Sequence, residues 1–172
     1  RLWDARTGEP RGDPLRHGPP VTEAAFNADA SLILTAGESL VRLWDAKTRR
    51  PIGNAIRTEG PLQAAAFSPD GKRLLIASST TATVRDSATG EQVGAPLRHE
   101  DTVLAAAFNP DGKSILTGSE DGTARLWDAA TGRPLHEPIR KEARVDLVGF
   151  RRDGRLFFLG VHSGQGGPEY GE

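Results

Sequence analysis

The sequence predicts an all-β chain built from repeated units of four short antiparallel strands, and three observations predict it. A set of motifs recurs at one spacing of about 41 residues. Within each period, apolar segments alternate with turn sequences such as SPDG (68–71), NPDG (109–112) and SEDG (119–122). The 20 glycines and 12 prolines interrupt the chain too often for long helices.

Three markers carry the period. RLWDARTG at 1–8 returns as RLWDAKTR at 42–49 and RLWDAATG at 125–132, with a degraded copy, VRDSATG, at 84–90. The Asp of this motif falls at Asp4, Asp45, Asp86 and Asp128, at spacings of 41, 41 and 42. Phe26, Phe67, Phe108 and Phe150 keep the same spacings, as do Arg16, Arg57, Arg98 and Arg140.

Taken in order, the best-preserved unit reads as an apolar strand VLAAAF (103–108), the turn NPDG, a strand KSILT (113–117), the turn SEDG, a strand TARLWD (123–128), the turn AATG (129–132) and an outer strand RPLHEPIR (133–140). Four short strands with tight turns, repeated at this period, describe the blade of a β-propeller. In the first strand of each unit the apolar positions are Val21, Ala24 and Phe26; Leu62, Ala65 and Phe67; Val103, Ala106 and Phe108; and Val145, Val148 and Phe150. Gaps of three and then two break strict alternation and predict a β-bulge.

These units resemble WD40 repeats, above all the bacterial form with its SPDG, DGT-x-RLWD and ATG elements, and the resemblance covers roughly residues 1–160. It implies that the first strand of each blade is innermost, which accounts for the alanines at 24–25, 64–66 and 105–107, since converging blades leave little room at the axis. The expected organisation is the second half of one blade (1–20), whole blades at 21–61, 62–102 and 103–144, the start of another at 145–163, and a disordered tail at 164–172. Because the sequence opens on Arg1 inside a repeat, the reading is of a fragment, and the expected architecture is an incomplete arc of about four blades.

The resemblance also implies a hydrogen-bonded tetrad within a blade. His99, Thr117, Asp121 and Trp127 supply it in full. His17, Thr35 and Trp44 supply part of it, with Glu38 in place of the Asp. The 62–102 blade has Thr58 and Ile76 at the His and Thr positions and no Trp, so tetrads are expected in alternate blades only. A Ser/Thr–His–Asp set in this context is read as a structural clamp and not a catalytic site, because no exposed nucleophile or oxyanion site accompanies it.

Net charge is −1 from 22 Lys plus Arg and 23 Asp plus Glu, a balance that favours neither nucleic acid nor an anionic membrane as partner. There is no cysteine, which removes disulfides and thiolate metal sites. His136 and His162 stand alone in sequence, and no metal-ligand spacing occurs. Arg1, Arg42 and Arg125 are expected in ordinary surface pairs, and the tail segment GQGGPEYG lacks the strand and helix of a phosphate loop. No cofactor or metal is expected, and a cytoplasmic setting is.

Function follows from the resemblance: a non-enzymatic protein-interaction scaffold within a larger multidomain protein, the alternative being a small-ligand-binding or enzymatic propeller. The partners expected are proteins, the remaining blades of the same chain, or a second copy. The candidate binding face comprises Glu38, Glu59, Gln63, Glu100, Asp101, Leu104, Glu120, Lys141, Arg144 and Asp146, on loops whose length and charge vary from unit to unit.

Overall fold

A computed structural model describes residues 1–162, and every regular element within them is a β-strand. The first four-stranded sheet holds β1 (Glu23–Phe26), β2 (Leu32–Gly37), β3 (Leu40–Asp45) and β4 (Pro51–Arg57). The second holds β5 (Leu62–Phe67), β6 (Arg73–Ser78), β7 (Thr81–Asp86) and β8 (Gln92–Arg98). The third holds β9 (Val103–Phe108), β10 (Ser114–Ser119), β11 (Thr123–Asp128) and β12 (Ile139–Arg140), and β13 (Arg144–Phe150) pairs with β14 (Phe157–His162) in a two-stranded sheet. Each sheet is an antiparallel meander in chain order. The N-terminal residues add the isolated bridge Trp3–Pro10, which repeats the Trp127–Pro134 bridge of the third sheet. The tail at 164–172 lies outside the described residues.

The sheets stack in sequence: β5 packs on β1 and β2, β9 on β5 and β6, and β13 on β9 and β10. First strand therefore adjoins first strand, and the sheets fan out from a shared edge as blades. The second strands, LILTAG, RLLIAS and SILTGS, are buried almost throughout: RLLIAS and SILTGS lie between two blades, while LILTAG has the second blade on one face and Trp44 and His17 at Thr35 on the other. The core accordingly lies between blades, with Leu34, Val41 and Leu74 in one layer, Leu75, Leu97 and Ile115 in the next, and Leu116 and Val145 in the last. Phe67, Phe108 and Phe150 pack against these three layers.

Register shifts occur between Leu62 and Ala64, opposite Gly118 and Ser119, and between Val145 and Leu147. The extra residue in each bulge is Gln63, Leu104 or Asp146, which the ladder leaves unpaired at the entry to its first strand.

The third outer strand is shorter than the sequence indicates, reduced from 133–140 to Ile139–Arg140. In β4 and β8, three residues bulge opposite one of the partner strand, with Gly53 and Gly94 at positive φ. The equivalent position in the third blade is His136, which does not take that conformation. A side chain in place of glycine disfavours the left-handed residue that closes the bulge, and the strand breaks there.

The two ends of the arc are open among the described residues. Phe26 on β1 is 52% exposed, and on the last sheet Leu147 and Phe158 are 55% and 54% exposed, values that mark apolar blade faces without a neighbour.

Candidate functional site

The structure brings His99, Thr117, Asp121 and Trp127 together inside the third blade. Thr117 lies in the middle of β10 and is fully buried. The Trp127 indole N–H donates to Thr117 Oγ1 at 2.8 Å, and Thr117 Oγ1 lies 2.7 Å from His99 Nε2. His99 Nδ1 is 3.0 Å from Asp121 Oδ2. One proton arrangement satisfies the chain: the indole donates to the hydroxyl, the hydroxyl to Nε2, and Nδ1–H to the carboxylate. Burial lowers the imidazole pKa and keeps His99 neutral, against the pull of Asp121. Burial alone would raise the Asp121 carboxyl, but the Thr123 hydroxyl, the Glu100 amide and the His99 ring together hold it at about 2. Because His99 arrives from the loop after β8, the chain of bonds ties the end of one blade to the centre of the next. The Thr117 hydroxyl at the centre of the chain is fully buried.

In the first blade the set is shorter. His17 Nδ1 is 2.8 Å from Thr35 Oγ1, and the Trp44 indole donates to the same oxygen at 2.8 Å. Glu38 does not take the place of Asp121: the β2–β3 hairpin is tight, Glu38 sits at φ 51 and is exposed, and His17 Nε2 is buried without a partner among the described residues. In the second blade Thr58 donates to Gly60 O at 2.6 Å, Ile76 is buried, and Arg85 occupies the Trp position.

Two expectations about charged side chains are corrected. Arg42 donates to the His17 carbonyl at 2.9 Å, Arg125 to Thr123 Oγ1 at 3.4 Å, and Arg1 stands 6.0 Å from the Trp3 ring, and among the described residues none of the three is in an ion pair. His162 is not alone: its Nδ1 lies 2.6 Å from Asp146 Oδ2, which also faces Arg144 at 3.7 Å. This contact closes a cross-strand neighbourhood that spacing in sequence does not reveal.

The loops divide between two faces. On one, the turns after first and third strands repeat the same hydrogen bonds. Asp29, Asp70, Asp111 and Asp153 each accept the amide two residues on, and Asp4, Asp45, Asp86 and Asp128 each accept the amide three residues on. The Thr48 amide, the Thr89 amide and the Thr131 hydroxyl hold Asp45, Asp86 and Asp128 below the usual carboxylate range. On the other face, Glu38, Glu59, Glu100 and Glu120 are exposed, and among the described residues their carboxylates make no hydrogen bond or ion pair. Asp101 caps the Thr102 amide at 2.7 Å. Gln63, Lys141 and Arg144 are exposed at the same end, and Leu104 and Asp146 are half-buried there.

A family model described as WD domain, G-beta repeat matches residues 12–45 and 90–128. Each stretch contains one of the two hydrogen-bonded sets just described, His17–Thr35–Trp44 and His99–Thr117–Asp121–Trp127. Both stretches are WD40 repeats. The repeat between the two matches is the one in which Thr58, Ile76 and Arg85 stand at the His, Thr and Trp positions. No curated protein matches the chain. WD40 repeats generally serve as non-enzymatic platforms for protein interaction. Among the described residues no group of three or more His, Cys, Asp or Glu could hold a metal ion, and no helix is long and apolar enough to cross a membrane.

Proposed function

We propose that this chain is a protein-interaction platform that engages its partner through the face carrying Glu38, Glu59, Glu100, Asp101 and Glu120. The observation that supports this reading is the division of carboxylates. On the opposite face the aspartates spend their oxygens on their own turns. The glutamates of this face have no structural task, so a partner can pair with them without breaking the fold. Loops held on a rigid scaffold and free to vary are where binding residues concentrate. The acidic half of the face fits a basic segment of the partner, and such rim charges act mainly on association rate. Around the last blade Lys141 and Arg144 are balanced by Glu142 and Asp146, so the acidic excess lies on the other blades.

The test is a hydrogen-exchange footprint of the complex with a captured partner. The expected protection falls on the amides of 38–39, 58–61, 99–102 and 120–122. Protection confined to 87–91 and 129–133, on the opposite face, would refute the assignment.

A further inference from the structure

The second blade has lost its tetrad, and what replaces it is a pocket. Between β4 of the first blade and the sheet of the second lies a cavity of about 230 Å³ lined by Arg57, Arg85, Arg98, Thr58, Thr81 and Thr83. We propose that this cavity binds a phosphate monoester.

One position of the repeat sets this blade apart. Where the neighbouring blades have Trp44 and Trp127, this blade has Arg85. Trp127 fills the gap to the preceding blade with its indole and hands its N–H to Thr117. Arg85 cannot do either, because Ile76 stands at the position of the acceptor. Its guanidinium donates from Nη1 to the Gly90 carbonyl at 2.9 Å, while Nε is buried without a partner among the described residues. A partly buried cation with one buried donor unmet is costly unless an anion completes it. Arg57 and Arg98 are exposed at the same cavity, and among the described residues no carboxylate pairs with any of the three.

The chemistry selects the ligand. Three guanidiniums against the single carboxylate of Glu59 at the rim call for more than one negative charge. The planar forks of arginine match the oxygens of phosphate bidentately. The hydroxyls of Thr81 and Thr83 add donors. A space of about 230 Å³, against about 30 Å³ for a water molecule in the liquid, leaves room for an organic group beyond the phosphoryl. Glu59 is shared with the proposed partner face, but the inference is independent of that reading, since it is tested without any protein partner.

Calorimetric titration of the 172-residue chain with inorganic phosphate and with O-phosphoserine, at constant ionic strength, decides it. Saturable binding is expected. Tighter binding of O-phosphoserine than of inorganic phosphate is expected, and equal binding would overturn the assignment of an ester. Arg98→Gln, at an exposed position that leaves the core intact, and Arg85→Gln should each weaken binding by about tenfold, the loss of one charge-assisted contact. The double variant Arg85→Trp, Ile76→Thr restores the repeat's own pairing, should remain folded by circular dichroism, and should bind neither probe. Arg133→Gln, in a turn of the opposite face, should bind as the parent does. The proposal fails if the parent chain binds neither probe saturably, or if Arg85→Gln and Arg98→Gln bind unchanged.

Discussion

At the scale of single residues, the tetrad couples packing to hydrogen bonding, so its members are not interchangeable with the motif residues around them. Trp127→Ala removes a 5% exposed indole from the layer between two blades and leaves Thr117 short of a donor. It should cost about 3–5 kcal/mol from lost packing. Asp86→Ala removes only the turn bonds to Ala88 and Thr89 and should cost about 1 kcal/mol. Urea melts of the two variants separate these values, and equal losses would contradict the clamp. Asp121 adds a pH signature. Its folded pKa of about 2 lies below the ordinary 3.8, so it contributes stability above pH 3.8 and loses it as pH falls toward 2. The stability gap between the parent and Asp121→Asn should be largest at neutral pH, with a pH-dependent part of about 2 kcal/mol, and should shrink across that acid window; a gap independent of pH would contradict the ionised carboxylate. The four tetrad residues were legible only through the resemblance to WD40 repeats, which supplies the pattern that His99, Thr117, Asp121 and Trp127 match. Arg85 was not, because its meaning lies in what it replaces, and the Asp146–His162 pair was not, because it depends on β13–β14 register.

At the scale of elements, turns and strands were legible from the Asp-Gly punctuation, and the bulges from the three-then-two spacing of Leu62, Ala65 and Phe67. The short third outer strand was not, because RPLHEPIR has the same length and polarity as its counterparts and differs in conformation at one residue, His136. The glycines also report how closely blades approach. Gly8 and Gly132 occupy equivalent turns with φ of 71° and 72°. A Cβ on Gly8 would meet nothing within 4 Å, whereas on Gly132 it would fall 2.1 Å from the Ala95 carbonyl oxygen. Gly8→Ala should therefore cost only the strain of a left-handed residue, about 1–2 kcal/mol, and Gly132→Ala distinctly more. Thermal melts of both variants measure the difference, and equal shifts would mean that the second and third blades do not touch as described.

At the scale of the whole molecule, the repeat alone dictated the order in which sheets stack, since each blade can bury its second strand only against its neighbours. The uneven fit between blades was not legible. The first and second blades enclose a polar cavity where the second and third enclose an indole, and that contrast arises from side-chain volume across an interface. The separation of the two faces is a property of the entire arc, repeated from blade to blade, and one of them is proposed to receive a protein partner. The most direct measurement compares partner affinity for two charge-reversed chains of equal net charge: Glu100→Lys with Glu120→Lys on the proposed face, and Glu9→Lys with Glu91→Lys on the face of repeated turns. All four glutamates are exposed, and their carboxylates make no hydrogen bond among the described residues. The first pair should weaken binding by roughly tenfold, about 1.4 kcal/mol, while the second leaves it unchanged; the reverse order, or an equal loss in both, would contradict the assignment of the partner face.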